Sequence, residues 1–199
     1  MTGLEGSTGT RQDLIRRARD GDERAFGQLY EAYADRVYRY VNFRVRHEGT
    51  SRDLTQDVFV NVLRGLGRLQ DLERFEGWLM RIAHNQVVNH WRRRTARPQI
   101  VEDHSEGDAS DEPLARIADV SPGVDPDERA ERILRLQAVG AAAGRLTDLQ
   151  QEVLGLRFGA GLSLAETAAI VGRSEDAVKK LQRRALRSLQ RSMRPGGAT

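Results

Sequence analysis

Four of the five prolines in this 199-residue chain fall between positions 98 and 126. Proline fixes φ and removes a backbone donor, so neither a long helix nor a central strand runs through such a stretch. Residues 98–128 also hold ten carboxylates (Glu102, Asp103, Glu106, Asp108, Asp111, Glu112, Asp119, Asp125, Asp127 and Glu128) against Arg116 alone. That segment carries −9, and the rest of the chain +12. A run this charged and this poor in apolar residues buries too little surface to offset its ordering entropy. The expectation is two small basic bodies, 11–97 and 128–194, joined by a flexible acidic linker over 98–127. A disordered tail over 1–10 precedes them, and residues 114–120 are left able to dock locally.

Several classes fall away on composition. The longest apolar stretch, 138–143, contains Gly140 and is far shorter than the roughly 20 residues a bilayer helix needs. The opening MTGLEGSTGT lacks the basic start and apolar centre of an export signal. With no cysteine there is no disulfide framework and no thiolate metal site. A cytoplasmic chain is expected.

Apolar residues recur at three-to-four spacing throughout, and no alternating strand pattern or Asn-Gly hairpin signal interrupts them. The predicted fold is all-α. A short helix over 12–19 stops at Asp20-Gly21. Asp22 then caps a long helix carrying Phe26, Leu29, Tyr30, Tyr33, Val37 and Val41. A third begins after Gly49, with Thr50 and Asp53 at capping-box spacing and Leu54, Val58, Val62 and Leu63 as its apolar set. Asp53, Gln56 and Asp57 share another side of it. That face is either a solvated acidic surface or a docking site for a basic partner.

Gly65 and Gly67 end the third helix, and a fourth is predicted over 75–94. Leu79, Ile82, Ala83 and Val87 face its core. Arg81, Asn85, Asn89 and Arg92 form a polar stripe, and no acid interrupts 81–97. Guanidinium for phosphate and amide for base edges is the chemistry of a nucleic-acid surface, although a basic helix end also complements the helix dipole. Ten of the 11 aromatics lie between Phe26 and Trp91, available for stacking on unpaired bases. Trp78, among apolar neighbours, is assigned to packing.

In the second body a helix is expected over 128–143. Thr147 and Gln150 open the next as a capping box, Gly159-Ala160-Gly161 ends it, and Ser163 and Glu166 open a short one that Gly172 ends. Ser174 caps the last. Two short helices about a glycine turn are the plan of a helix-turn-helix. On the final helix, with Val178 at zero, Leu181, Ala185 and Leu189 lie within about 60° and form the buried stripe. Lys180, Arg183, Arg184, Arg187 and Arg191 fall between about 140° and 240°, opposite the core. Five cations on one outer face suit a DNA major groove.

DLTQDVF at 53–59 and FEGWLMRIAHN at 75–85 resemble region two of bacterial RNA polymerase sigma factors, and LTDLQQEVL at 146–154, residues 163–172 and AVKK at 177–180 resemble region four. With only a linker between them, the chain is similar to extracytoplasmic-function sigma factors of the sigma-70 family. The resemblance implies a promoter-recognition subunit rather than an enzyme, with no catalytic residue, metal, cofactor or small-molecule substrate. It assigns region two to 11–97 and region four to 128–194. Core RNA polymerase would be bound at the clamp helices of its largest subunit, through Asp53, Leu54, Gln56, Asp57 and Phe59, and at its flap. The loop 67–74, with Arg81, Asn85, Asn89, Arg92 and Arg93, would hold a melted minus-ten element with one base flipped out. Arg173, Ser174, Lys179, Lys180, Arg183, Arg184 and Arg187 would engage the minus-thirty-five element. The acidic linker would pass the RNA exit path. An anti-sigma factor is a further implied partner, and the implied location is the bacterial cytoplasm at the nucleoid. Leu181 stands where the family often has arginine, which bears on the promoter sequence preferred.

The rival is a helix-turn-helix regulator that binds duplex operator DNA without replacing sigma, since 146–189 also resembles response-regulator activators. Nothing supports an enzyme: His84 and His90 are six apart, off the i, i+4 spacing of paired ligands on a helix, and His47 and His104 fall in predicted loops. The sequence leaves the relative placement of the two bodies open.

Overall fold

A computed structural model describes residues 8–96 and 142–192. The expected linker and most of the helix expected over 128–143 lie outside the described residues. Among the described residues there are seven α-helices and no strand. They are α1 (Thr8–Arg19), α2 (Glu23–Val45), α3 (Glu48–Gly65), α4 (Phe75–Ala96), α5 (Asp148–Leu154), α6 (Leu164–Val171) and α7 (Glu175–Ser192). Short 3₁₀ turns, Leu66–Arg68 and Leu72–Arg74, lead into α4, and a wider π turn, Gly155–Gly159, continues α5.

Most boundaries follow from local chemistry. Gly21 takes φ +98°, a left-handed conformation open to glycine, and so allows the reversal after α1. Asp22 then accepts the backbone N–H groups of Arg24 and Ala25 at the start of α2. Two boundaries differ from expectation. α1 begins at Thr8, inside the expected tail. α3 begins at Glu48 rather than after Gly49, because the His47 ring Nδ1 accepts the Thr50 N–H at 3.1 Å and supplies the cap expected of Thr50.

The first body packs α2, α3 and α4 around Leu29, Val37, Val41, Val58, Val62, Leu79, Met80, Ala83 and Val87, all essentially buried. Each such side chain contributes roughly 1.5–3 kcal/mol relative to exposure. Leu54 and Phe59, assigned to polymerase docking in the sequence reading, are core residues here. They lie on the stripe of α3 that faces α2, so they position that helix and present no surface. Leu63, expected inside, is exposed. Tyr40, absent from the expected set, is completely buried.

Glu76, at the start of α4, ties three helices together. Its carboxylate accepts from Arg11 Nη1 at 2.8 Å, Arg36 Nη1 at 2.7 Å and the Tyr33 hydroxyl at 3.3 Å. Burial alone would raise this carboxyl, but the Arg36 hydrogen bond and the charges of Arg36 and Arg11 outweigh it and hold the group below its ordinary value of 4.5. A lowered carboxyl contributes stability that is complete above the ordinary value and is lost as pH falls through the lowered one. Glu76→Gln is therefore expected to flatten the acid limb of stability below about pH 4.5, read by denaturant melts at stepped pH. An unchanged acid limb would show that the network contributes nothing.

In the second body both capping boxes form. Thr147 accepts the Gln150 N–H while the Gln150 side chain accepts from Thr147 N, and Ser163 and Glu166 do the same. Gly172 closes α6 at φ +64°, and the Ser174 hydroxyl accepts the Ala177 N–H at 3.3 Å. Val153, Ala168 and Val178 form one apolar cluster, and Ala143, Leu146, Leu154 and Ala185 another.

The interiors of the two bodies are not wholly separate. Leu156, Ala160 and Leu162, from the π turn and the loop after it, are buried in the interior of the first body. The linker composition gave no sign of this seam.

Candidate nucleic-acid and polymerase interface

Three surfaces carry the residues singled out by sequence. On α3, Asp53, Gln56 and Asp57 are exposed side by side, and neither carboxylate forms an ion pair among the described residues. Val60 and Leu63 continue this face one and two turns further on, 45% and 58% exposed. Tyr30, edge-on to Phe59 with ring centroids 4.7 Å apart, lies beside it. The surface is thus acidic at one end and apolar at the other. Val60 was missed and Leu63 misplaced, although the i, i+4, i+7 relation of Gln56, Val60 and Leu63 puts them on one side of the helix.

The second surface is a cavity of about 430 Å³ where the end of α3 meets α4, lined by Asn61, Gly65, Arg68, Trp78, Ile82, Asn85 and Gln86. A Cβ on Gly65 would lie 3.0 Å from Trp78 Cζ2, so glycine is what lets the indole reach the end of α3. Trp78 is half-buried: it packs on the core, as the sequence suggested, and also walls the cavity. The remaining lining combines three carboxamides and a guanidinium, able to donate and accept around a planar polar ring. Arg81, Asn85, Asn89, Arg92 and Arg93 are all exposed along α4. Arg81 differs from the others in donating from Nη2 to the Ala169 carbonyl of α6 at 3.0 Å.

The third surface is α7. Val178 and Ala185 are buried, with Leu181 and Leu189 partly so, as the helical wheel predicts. Arg173, Ser174, Lys179, Lys180, Arg183, Arg184, Arg187 and Arg191 are exposed. None of these cations forms an ion pair among the described residues, which leaves the ridge uncompensated.

No group of three or more His, Asp or Glu residues that could hold a metal ion occurs among the described residues. His84 Nδ1 lies 3.0 Å from Glu152 Oε1, across the seam between the bodies. Burial, then the Arg44 and Arg81 charges, lower the imidazole, and burial raises the Glu152 carboxyl. A lowered imidazole and a raised carboxyl both disfavour a fully charged pair across this contact. No described helix is long and apolar enough to cross a membrane.

An amide-lined cavity under a basic helix, followed by a helix-turn-helix with an unpaired cationic ridge, defines a two-part nucleic-acid-binding protein. Sigma-70 region 2 matches residues 29–97, and Sigma-70 region 4 matches residues 142–191. The chain is 38% identical over 180 residues to the ECF RNA polymerase sigma factor BldN of Streptomyces coelicolor, covering 90% of this chain and 64% of that one. It is 30% identical to the RNA polymerase sigma factor YlaC of Bacillus subtilis, covering 83% of this chain and 90% of that one. A structure of CnrH in complex with the cytosolic domain of CnrY is similar at a TM-score of 0.63 and 25% identity, over 90% of this chain and 94% of that chain. The chain belongs to the sigma-70 family of RNA polymerase sigma factors, in its extracytoplasmic-function group. A region 2 match across the first body is not what a bare operator-binding regulator would carry.

Proposed function

We propose that this chain acts as an alternative sigma factor whose three exposed surfaces divide the work of initiation. The Asp53, Gln56 and Asp57 face, extended by Val60 and Leu63, docks on the clamp helices of the largest polymerase subunit, and Leu54 and Phe59 hold that face in place from inside. The second body meets the flap, where Phe158, 60% exposed on the π turn, offers an apolar contact. The α7 ridge holds the minus-thirty-five duplex. Arg173 and Ser174 meet phosphates at its start, where helix N–H groups add to the field. The acidic linker passes the RNA exit path, and an anti-sigma factor masks the assembly, a reading that the complex of CnrH with the cytosolic domain of CnrY supports. The chain contributes no catalytic group and works in the cytoplasm on the nucleoid.

The observation that carries this reading is the cavity between α3 and α4. A volume of about 430 Å³ lies within the range of small-ligand pockets. Its indole wall and three amides suit one unstacked base. The Arg81, Asn85, Asn89 and Arg92 stripe runs alongside to hold the backbone of the same strand. A duplex operator reader has no use for such a pocket. Purified chain added to core polymerase is expected to start transcription from a cognate promoter with no other sigma present. Tight operator binding without initiation would overturn the reading.

Trp78→Ala tests the pocket itself. Base-aromatic stacking contributes about 1–3 kcal/mol per base, so promoter opening is expected to weaken roughly 5- to 150-fold. Binding to a duplex that carries only the upstream element should not change. Equal loss on both templates would mean that Trp78 serves the fold alone.

A further inference from the structure

The cavity between α3 and α4 has two walls of different origin. Trp78 and Asn85 come from α4, and Asn61, Gly65 and Arg68 from the end of α3 and the 3₁₀ turn that follows it. The polar stripe of α4 adjoins only the first wall. The second has a basic edge of its own. Arg64 stands three positions after Asn61, a spacing that makes them neighbours on α3, and Arg68 follows in the turn Leu66–Arg68. Both arginines are exposed, and neither forms an ion pair among the described residues. The carboxylates of the same loop are turned elsewhere: Asp71 meets Arg74 at 3.0 Å, and Glu73 accepts from Gln12 at 3.3 Å. A cation at Arg64 complements the C-terminal end of α3. That accounts for one charge but not for the second, which lies past the helix end where like charges so near repel.

We infer that Arg64 and Arg68 form a phosphate clamp that holds the melted strand on the downstream side of its flipped base. The inference rests on the sigma-factor reading, in which the cavity takes that base. A nucleotide turned out of the stack brings the phosphates on both of its sides to the mouth of the pocket. The α4 stripe can hold only the stretch that passes the first wall. A strand held on that side alone is free to swing and let the base return to the stack, whereas a strand held on both sides keeps it in place. Chain order gives the direction. α4 ends at Ala96 and leads through the linker to the second body, which on this reading holds the upstream element. The stripe therefore follows the strand upstream, and the wall with Arg64 and Arg68 receives it on the way to the start site. Guanidinium groups suit phosphate in shape as well as charge, and such contacts position a strand without reading its bases.

The test uses holoenzyme made from the full-length chain and core polymerase, on two fork-junction templates of one sequence. In one the single strand stops at the flipped base, with no phosphate beyond it, and in the other it runs a few nucleotides further. Arg64→Gln/Arg68→Gln removes both charges and keeps a donor at position 68 for the base. It is expected to bind the longer template about 5- to 30-fold more weakly than wild type, and the shorter one equally well. On the longer template alone, the slope of log affinity against log salt should become shallower by about 1.4, the counterion release of two single-strand phosphates. Arg64→Lys/Arg68→Lys keeps the charge and should retain most of the wild-type slope. Equal loss on both templates would make the pair a support for the fold, and no loss on either would make it an ordinary solvated edge; each result overturns the clamp. The pocket reading is tested separately, since an abasic site at the flipped position should weaken wild-type binding to the shorter template. Indifference to the abasic site sinks that reading and the clamp with it. A normal abasic loss beside an unaffected double variant sinks the clamp alone.

Discussion

Arg183→Ala/Arg184→Ala is expected to weaken binding to the upstream promoter element by about one and a half to four orders of magnitude, because each side chain contributes roughly 1–3 kcal/mol where it reaches a base edge. Both residues project from the exposed side of α7, off the buried Val178 and Ala185 stripe, and neither forms an ion pair among the described residues. Their loss costs the fold little. The same substitution should make the dependence of log affinity on log salt shallower, from about −4 to −6 toward −2 to −4, as two fewer counterions are released. Association with core polymerase should be unchanged. Asp53→Ala/Asp57→Ala is expected to do the reverse, weakening polymerase association roughly 10- to 100-fold while leaving free-chain binding to the upstream duplex intact. Filter binding across a salt series and a polymerase pull-down separate the two. If both double variants failed in the same assay, the division of labour between α3 and α7 would be wrong.

How far these surfaces can be read from sequence depends on how local their causes are. The cationic ridge of α7 was legible because phase along a single helix decides it: once Val178 and Ala185 face inward, Lys180, Arg183, Arg184 and Arg187 have nowhere else to point. The capping boxes at Thr147 and Ser163 were legible because a hydroxyl and a side-chain acceptor three residues apart satisfy each other without outside help. The His47 cap was not. A histidine at that place takes the role only because its ring nitrogen meets the Thr50 N–H, and no common pattern announces it. Leu54, Phe59 and Leu63 show the limit of periodicity. On a helix with more apolar residues than its buried stripe can hold, spacing alone does not say which stay outside. The packing of α2 decides it, sending Phe59 in and leaving Val60 and Leu63 out.

The seam was the least legible feature, for a physical reason. Gly159 and Gly161 read as a helix-ending turn, and so they are, with Gly161 at φ +67°. The close approach of Gly155 to Tyr40 and Phe43, and of Gly159 to Tyr40, is a property of two segments more than 100 residues apart and leaves no local trace. Tyr40 was unremarked for the same reason. Burial raises its hydroxyl well above the ordinary range, and its ring belongs to both bodies at once.

The cavity between α3 and α4 depends on a residue that does not line it. Phe75 is 1% exposed at the first position of α4, with its ring edge-on to Tyr33 at 5.3 Å and tilted against Trp78 at 6.0 Å. Phe75→Ala removes a fully buried ring and leaves a cavity, a change that costs about 3–5 kcal/mol. Against a total of roughly 5–15 kcal/mol for a domain, the first body is expected to lose a third or more of its stability in urea denaturation. The loss should also be local in effect. With no ring behind it, the Trp78 indole is no longer held against the end of α3 at Gly65, so promoter opening should fall under conditions where the variant is still folded. Phe75→Leu, which keeps most of the volume, should recover most of the stability but less of the opening, since an aliphatic side chain does not fix the tilt of the indole. Trp78→Ala gives the complementary pattern, with a larger loss of opening and a smaller loss of stability, because that ring is only half-buried. Should Phe75→Ala melt within about 1 kcal/mol of wild type, below the range for a filled core position, the ring would not be the support that this geometry makes it.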